Sequence, residues 1–246
     1  MPRIKCTIAY DGTRFAGYQM QPDKRTVQSE LEHALQKMHK GQRIRVTASG
    51  RTDAGVHANG QVIHFDSPLH IQKENWGKAL NTLLPDDIFI REVERVSEDF
   101  HARFSAKQKE YRYRLLNRLE PDLFRRLYTL HVPKKLDLDL MRAASHYITG
   151  THDFTAFCAS GSSVMDKVRT VYEIDIQSLG DEVVIRMIGN GFLYQMVRIA
   201  VGHLLAVGLG KHKPEVIADI LETRDRRKAL GTAPPQGLFL WQVKYV

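Results

Sequence analysis

The segment with the densest potential for chemistry runs from Ala48 to Phe65 and reads ASGRTDAGVHANGQVIHF. A strand pattern leads into it, and glycines at positions 50 and 55 permit a tight backbone on either side of Asp53. A carboxylate carried on such a loop can act as a nucleophile or as a base. An aspartate at this place can also serve the loop alone, by accepting a hydrogen bond from a nearby backbone N–H. The spacing by itself leaves both roles open.

A second candidate is Arg198, which lies in the segment GNGFLYQMVRIAVGHLL from Gly189 to Leu205. The pair Asn190–Gly191 predicts a turn, and the pattern after it is helical. A guanidinium on so apolar a helix either extends to water or contacts a carboxylate. Contact with a guanidinium lowers the pKa of an aspartate by about 1 to 3, which would keep Asp53 ionised. The simpler interpretation is an exposed arginine.

The overall charge points to a polyanionic partner. The chain has 36 Lys and Arg against 28 Asp and Glu, a formal net charge of +8. The run from Arg103 to Arg118 holds six basic residues and one acidic residue, with Tyr111 and Tyr113 interleaved. Basic side chains neutralise phosphates, and tyrosine rings stack on unpaired bases. A strand with buried tyrosines and solvated arginines explains the same pattern, and both interpretations can hold on opposite faces.

Several classes of protein are disfavoured by composition. Cys6 and Cys158 are the two cysteines, too few for a disulfide scaffold or a cysteine-rich zinc site, and they suit a reducing cytoplasm. The first residues lack the pattern of a signal peptide. The most apolar stretch, Ile199 to Leu209, is shorter than the roughly 20 residues that cross a bilayer. We therefore expect a cytoplasmic protein.

The periodicity of the first half predicts a β-α-β-β-α-β order. Alternating residues predict strands, and residues at helical spacing predict helices, the first of them capped by Thr26. This order is typical of a ferredoxin-like unit. The predicted elements are strands at 4–10, 44–48, 62–65 and 88–93, and helices at 27–38 and 76–84.

The second half repeats this order with insertions at 118–137 and 151–168, which we expect to be long loops. We predict an α+β fold of two ferredoxin-like (RRM-like) units, residues 1–104 and 105–246, whose antiparallel sheets pack around a central basic cleft. RNA-binding modules use sheets of this kind to stack bases. The predicted elements are strands at 111–115, 171–176, 183–188 and 238–245, and helices at 140–148, 193–207 and 215–221.

Seven motifs spread along the chain resemble the tRNA pseudouridine synthase A (TruA) family. SGRTDAGVHA is the most specific of them, and Tyr18 is a small departure, since many members have Trp there. The motifs are YDGTRFAGYQ (10–19), SGRTDAGVHA (49–58), FHARFSA (100–106), KEYRYRL (109–115), GTHDFTAFC (150–158), GNGFLYQMVRIAVG (189–202) and APPQGLFL (233–240).

The resemblance implies an isomerase that needs no cofactor or metal. It implies conversion of uridine to pseudouridine at positions 38, 39 and 40 of the anticodon stem-loop of tRNA, by a homodimer. By motif matching, Asp53 takes the place of the essential aspartate and Arg198 that of its arginine partner. Tyr111 takes the place of the tyrosine that packs on the target base, and Leu240 resembles the apolar residue of the pocket.

This reaction suits those residue types. The N1–C1′ bond must break, the uracil must turn, and C5 must bond to C1′. Asp53 could attack C1′, attack the ring or remove a ribose proton, and the sequence does not choose among the three. The target base must leave its stack, at a cost of a few kcal/mol that phosphate contacts would offset. The candidates for contacts to the RNA are Arg51, Lys109, Arg112 and Arg169.

Three other classes compete with this interpretation. A non-catalytic RNA-binding module would need the basic residues and Tyr111 but not Asp53. A metal-dependent hydrolase is disfavoured, because the eleven histidines include no His-Glu-x-x-His run. A nucleotide-binding enzyme is disfavoured because the glycine spacing at 50–55 lacks the lysine of a phosphate-binding loop.

Overall fold

The structure is a computed structural model that describes residues 1–161 and 164–246. These residues form ten strands and five α-helices, together with short 3-10 turns. In chain order the elements are β1 (Arg3–Tyr10), α1 (Val27–Met38), β2 (Thr47–Ala48), β3 (His57–Asp66), α2 (Lys73–Leu83), β4 (Ile88–Val96), β5 (Gln108–Leu116), β6 (Leu130–His131), α3 (Leu138–Ile148), β7 (Gly150–Asp153), β8 (Val168–Leu179), β9 (Glu182–Gly189), α4 (Met196–Gly208), α5 (Val216–Thr223) and β10 (Leu238–Lys244).

The chain divides into two compact units. The first consists of residues 1–107 and 239–246, and the second of residues 108–238. The sequence predicted a division near 104 and placed the whole C-terminal part in the second unit. The structure groups the last strand with the first unit, where Phe239 and Leu240 pair in parallel with His57 and Ala58 of β3. Both ends of the chain therefore build the first unit.

The sheet of the first unit has the ferredoxin-like strand order. Strand β1 lies between β3 and β4 and is antiparallel to both. Strand β2 pairs antiparallel with β3, so that the order is β4-β1-β3-β2. The predicted β-α-β-β-α-β order of this unit is confirmed. Strand β3 is longer than predicted, and its N-terminal end carries the segment that follows Asp53.

The core of the first unit consists of alternate residues of β1 and of helix residues at helical spacing. Ile4, Cys6, Ile8 and Tyr10 are buried, as their alternation predicted. Helix α1 begins at the capping box of Thr26, whose hydroxyl accepts from the N–H of the residue three positions later. Two consistent periodicities therefore fix which face of each element is covered.

One predicted strand of the first unit is mostly wrong. We predicted a strand over 44–48, but the structure has only Thr47–Ala48 in β2. Ile44 and Val46 are buried, which explains the alternation in the sequence. The N–H of Val46 donates to a carboxylate oxygen of Glu32 on α1 at 3.2 Å instead of to a strand. A buried side chain thus takes the hydrogen bond that strand pairing would have used.

The second unit holds an antiparallel sheet in which β9 lies between β5 and β8. Its predicted strands over 111–115, 171–176 and 183–188 are confirmed as the centres of β5, β8 and β9. The segments that we expected to be loops contain two more strands. Strand β6 pairs in parallel with β5, and β7 pairs antiparallel with β8. Positions 162 and 163 of the second predicted loop lie outside the described residues.

Helix α4 is the buried helix of the second unit. Most of its residues are buried, including Val201 and His203 in its middle, as expected for a helix that is apolar on all sides. It begins at Met196, three residues later than predicted, because Gln195 adopts a left-handed backbone with φ of 59°. A methyl group at Gly208 would lie 2.6 Å from the sulfur of Met141 on α3, so the glycine allows the two helices to approach.

No helix within residues 1–161 and 164–246 has the length and apolar character that a membrane span requires.

Two buried histidines are held in the neutral form. Burial lowers the pKa of His64 to about 4, assisted by the charge of Arg3, and burial lowers the pKa of His203 to about 4. His203 stacks on Phe157 with ring centres 4.6 Å apart, and its Nδ1 bonds the carbonyl of Ile199. Each ring is therefore protonated in the unfolded chain at a higher pH than in the folded one.

We expect the free energy of unfolding to fall as the pH is lowered from about 6.5 to about 4. The unfolded chain binds more protons in this interval, since an unfolded histidine titrates near 6.5, so stability rises with pH. Each histidine can contribute up to about 3 kcal/mol over the interval. Denaturant unfolding at a series of pH values measures this. His203→Gln should flatten the dependence, whereas substitution of the exposed His33 should not; a slope unchanged in His203→Gln would contradict the assignment.

Candidate active site

Asp53 lies on the loop that connects β2 to β3, and its side chain is half-buried. The backbone carbonyl of Asp53 accepts a hydrogen bond from the N–H of Val56 at 3.1 Å, which closes a tight turn. Gly55 within this turn has a φ of +76°, a left-handed value that favours glycine. The turn presents Asp53 at the N-terminal end of β3.

The start of this loop is fixed to β3 by buried polar groups. The hydroxyl of Ser49 donates to the side-chain carbonyl of Gln61 at 2.6 Å, and both residues are fully buried. The amide nitrogen of Gln61 donates to the carbonyl of Gly50 at 2.9 Å. The N–H of Ser49 donates to the carbonyl of Val62. Because unpartnered polar groups are costly when buried, these bonds hold the loop in one position.

The residue before Asp53 is clamped by the end of β1 and the segment after it. The hydroxyls of Tyr10 and Thr52 are 2.8 Å apart in a buried hydrogen bond. The N–H of Tyr18 donates to the carbonyl of Thr52 at 3.0 Å. Gly17 has a φ of +102°, and a methyl group there would lie 3.0 Å from that same carbonyl. We refer to Tyr10, Gly17 and Tyr18 with Thr52 as the Thr52 clamp.

Burial raises the pKa of the Tyr10 hydroxyl to about 12, so that this group keeps its proton at neutral pH. The neighbouring Tyr18 is equally buried, and its ring centre lies 6.5 Å from that of Tyr10. Within the described chain the Tyr18 hydroxyl has no hydrogen-bond partner. The two tyrosines thus share an environment, but only Tyr10 holds Thr52 through its hydroxyl.

The end of the loop contacts the segment that follows β1. His57, the first residue of β3, accepts a hydrogen bond at Nδ1 from the N–H of Gly12 at 3.0 Å. The N–H of Gly55 donates to the carbonyl of Phe15 at 3.3 Å. On its other side the ring of His57 stacks on Phe239 of β10, with ring centres 4.7 Å apart. Contacts therefore fix the loop at its start, centre and end.

Two further predicted residues lie in the first unit. Leu240 is fully buried and is in register with Ala58 of β3, so it belongs to the strand beside the end of the loop. Arg51 lies on the loop itself, is exposed, and forms no hydrogen bond or ion pair with the described residues. The structure thus brings Asp53, Arg51 and Leu240 to the same end of β3.

Tyr111 lies on β5 in the second unit and is 8% exposed. Its ring meets that of Phe192 edge to face, with centres 5.2 Å apart. An edge-to-face pair is a favoured aromatic geometry, and it fixes the plane of the tyrosine ring. Tyr113, two residues further along the strand, lies on the same face and is fully buried.

Arg198 lies in the first turn of α4 and is half-buried. Its Nε donates to the carbonyl of Ala233 at 2.7 Å, and the N–H of Ala233 donates to the carbonyl of Arg198 at 2.9 Å. The hydroxyl of Tyr113 donates to the carbonyl of Pro234 at 2.7 Å. Burial raises the pKa of Tyr113 well above its usual range, and the positive charge of Arg198 opposes that rise. Tyr113 and residues 233–234 therefore position the guanidinium.

Three more basic residues that we predicted to contact RNA lie in the second unit, and Arg112 and Arg169 among them form contacts within that unit. Arg112 forms an ion pair with the buried Glu110 at 2.7 Å. Arg169 on β8 donates to the backbone carbonyl of Asp166 at 3.1 Å. Lys109 is half-buried at the start of β5, in register with Gly189. Intramolecular contacts thus set the orientation of the Arg112 and Arg169 side chains.

Motif reasoning overlooked Tyr10, Gln61 and Tyr113, which form hydrogen bonds with the segments that carry Asp53 or contact Arg198. Tyr113 could have been found from its spacing, since residues two apart on a strand share a face. Nothing in the sequence links Gln61 to Ser49 or Tyr10 to Thr52, because those pairs are joined by strand pairing and by the turn after β1.

The sequence matches the family model described as tRNA pseudouridine synthase over residues 7–105 and 143–246. This chain belongs to the tRNA pseudouridine synthase family. A tRNA pseudouridine synthase A 1 of Bacillus cereus is 56% identical over 245 residues, which cover 100% of this chain and 99% of that protein. A tRNA pseudouridine synthase A of Geobacillus sp. is 57% identical over 243 residues, with coverage of 99% and 98%. Enzymes of this family are isomerases that act on uridine in tRNA.

Among solved structures, an archaeal box H/ACA sRNP Nop10–Cbf5 complex aligns with 94% of this chain and 58% of its own, at 12% identity and a TM-score of 0.37. The chain thus spans little more than half the length of that protein.

We expect Tyr10→Phe to lower both the stability and the turnover of this synthase. The substitution keeps the ring but leaves the buried Thr52 hydroxyl without its partner, which costs about 1 to 3 kcal/mol. Denaturant unfolding and pseudouridine formation under saturating tRNA measure the two effects.

Tyr18→Phe is the matched control for this experiment. It removes a hydroxyl that has no partner among the described residues, so the free energy of unfolding should stay the same or rise. Equal effects of the two substitutions would show that the hydroxyl of Tyr10 has no special role in holding the loop.

Proposed function

We propose that this synthase converts uridine to pseudouridine at positions 38, 39 and 40 of the anticodon stem-loop of tRNA, with Asp53 as the essential nucleophile or base. The proposal rests on family membership and on the match of SGRTDAGVHA to residues 49–58. The structural observation that carries it is the Thr52 clamp, which holds the residue next to a half-buried carboxylate. An aspartate whose role was only to stabilise its own loop would not require this hydrogen bond from β1.

The reaction requires no net change in atoms. The N1–C1′ bond breaks, the C5–C1′ bond forms, the proton leaves C5 and N1 gains a proton. Attack on C1′, attack on the uracil ring and removal of a ribose proton all require Asp53 in its ionised form. A carboxylate on a rigid loop serves each of these routes, because its position relative to the ribose is set before the base arrives.

We assign Arg198 to keeping the catalytic carboxylate ionised. The contact of its Nε with the Ala233 carbonyl fixes one edge of the guanidinium, which supports a positioned charge rather than a side chain that moves freely in water. A positioned positive charge stabilises a carboxylate and lowers its pKa. The neighbouring Tyr113, through Pro234, holds the same segment.

We assign Tyr111 to stacking on the target base after the base has left its helix. Stacking on an aromatic ring is worth about 1 to 3 kcal/mol per base, which repays part of the cost of base flipping. The edge of Phe192 supports this role, because it holds the plane of the Tyr111 ring while a base turns over it. Leu240, on the strand beside the Asp53 loop, would supply apolar closure around the detached uracil.

Binding of the tRNA would draw on the basic side chains. Arg51 is exposed beside Asp53, and Lys109, Arg112 and Arg169 are the further candidates. The net charge of +8 supports contacts to several phosphates. We further propose that the enzyme works in the cytoplasm as a homodimer and without a cofactor, as the family resemblance implies.

We expect Asp53→Asn to abolish turnover and to retain tRNA binding. The amide has nearly the same shape but cannot act as a base or nucleophile, so the rate should fall at least about 100-fold. Tritium release from C5 of tRNA uridines measures turnover, with a filter-binding assay in parallel and a chelator present throughout.

Asp23→Asn, at an exposed aspartate of the same unit, is the control and should retain full turnover. Turnover that survives in Asp53→Asn would remove Asp53 from the chemistry. Tight tRNA binding with no tritium release from the wild-type protein would favour an RNA-binding module without activity.

We expect Tyr111→Phe to keep most of the activity and Tyr111→Ala to lose roughly 5- to 150-fold in kcat/KM, the equivalent of about 1 to 3 kcal/mol of stacking. Steady-state kinetics with one unmodified tRNA transcript measures both variants. Tyr172→Ala, at an exposed tyrosine of β8, controls for loss of a ring elsewhere in the unit. Equal and complete loss in both Tyr111 variants would instead assign the function to the hydroxyl.

A further inference from the structure

The turn that follows β4, residues 100–105, is anchored to the first unit at its centre. Ala102 is fully buried; its N–H donates to Nδ1 of His64 on β3 at 3.1 Å. Its carbonyl accepts from the hydroxyl of Tyr245 at 2.8 Å. The guanidinium of Arg3 donates to the carbonyl of Phe100 at 2.9 Å. Contacts from three separate parts of the chain thus fix this short segment.

Hydrogen bonds within the turn fix its backbone further. Nδ1 of His101 accepts from the N–H groups of Arg103 and Phe104, at 3.1 and 3.2 Å. The N–H of Ser105 donates to the carbonyl of His101, and the N–H of His101 donates to the hydroxyl of Ser105. The backbone around Phe104 is therefore held on both sides.

Phe104 nevertheless projects into solvent, with 76% of the residue exposed. One face of its ring rests on the ring of His101, with centres 4.3 Å apart and planes inclined by 30°. The guanidinium of Arg103 lies 5.8 Å from the ring centre. His101 and Arg103 thus contact part of the ring, while most of the residue stays exposed even though hydrogen bonds fix its backbone.

The charge that lies over this ring is the positive charge of Arg103. Arg103, and Lys107 three residues after Phe104, are both exposed, and neither side chain forms an ion pair with a carboxylate in the part of the chain that the structure describes. Proteins bind single-stranded nucleic acid with exposed aromatic rings beside unpaired cations, since the ring stacks on a base and the cation contacts phosphate.

We propose that Phe104 and Arg103 form a stacking platform for an unpaired nucleobase of the tRNA. The platform is separate from the Asp53 loop: His57 lies beside the loop and His64 beside the turn, seven residues apart on β3 or roughly 23 Å. The contact therefore engages a base remote from the reacting uridine. This inference rests on the proposed function for the identity of the RNA.

A second copy of the chain is the weaker candidate for this surface. One phenylalanine ring buries at most about 200 Å², whereas a stable dimer buries about 800 Å² on each partner. Phe89, another exposed ring of this unit, lies near the opposite end of β4, in register with Ala9. The apolar area at the turn thus suits one flat base better than a protein surface.

Affinity for tRNA tests the platform in an Asp53→Asn background, which separates binding from turnover. Phe104→Leu keeps an apolar side chain without an aromatic face and should raise Kd roughly 5- to 150-fold. Phe104→Trp should retain or strengthen binding. Arg103→Ala should reduce the salt dependence of binding by about one phosphate contact. Equal affinity in the Leu and Trp variants, with unchanged thermal unfolding in both, would overturn the proposal.

A photoreactive benzoylphenylalanine at position 104 identifies the occupant directly in the full-length protein. Cross-linking to tRNA is the expected result, and cross-linking only to a second copy of the chain would overturn the proposal. The two proposals fail in different ways: loss of affinity in Phe104→Leu with no tritium release from the wild type would support the platform and remove the isomerase assignment. Normal tritium release from the wild type, with no effect of Phe104→Leu on Kd, would support the isomerase assignment and overturn the platform.

Discussion

A buried hydrogen bond between two hydroxyls, Tyr10 to Thr52 at 2.8 Å, is the constraint on which the candidate site depends. It joins the last residue of β1 to the loop that carries Asp53, and Gly17 lets the backbone after β1 approach that loop closely. Catalysis by positioning requires the reacting group to be held before substrate binds. The position of the site therefore depends on the sheet, because the last residue of β1 holds the loop that carries Asp53.

The net charge of the chain overstates the positive charge that is available to RNA. On β5, Arg112 pairs with Glu110 and Arg114 with Glu182. Arg118 pairs with Asp181, which also binds Arg125. The pairs with Asp181 and Glu182 join segments of the second unit, and Arg112 pairs within its own strand, whereas exposed cations such as Arg51 and Arg103 lack such partners in the described chain. The unpaired cations are therefore the stronger candidates for phosphate contacts, since a paired arginine such as Arg112 must give up its carboxylate to bind a phosphate.

Periodicity predicted most elements correctly because alternation and helical spacing report directly on which face is buried. It failed where a tertiary contact replaced a local one. Ile44 and Val46 alternate as strand residues do, but Glu32 takes the hydrogen bond of Val46. Helix α4 begins three residues after its predicted start because Gln195 adopts a left-handed backbone, a conformation that a glutamine does not predict.

The sequence by itself determined the family, the β-α-β-β-α-β order and the candidate residues, because motifs and periodicity are local along the chain. The tertiary structure alone decided that β10 joins the first unit, that Gln61 holds the start of the Asp53 loop and that Tyr10 clamps Thr52. It also decided that Phe104 stays exposed while Tyr111 and Tyr113 are buried. These outcomes depend on contacts between residues far apart in sequence, which strand pairing and burial create only when the chain is folded.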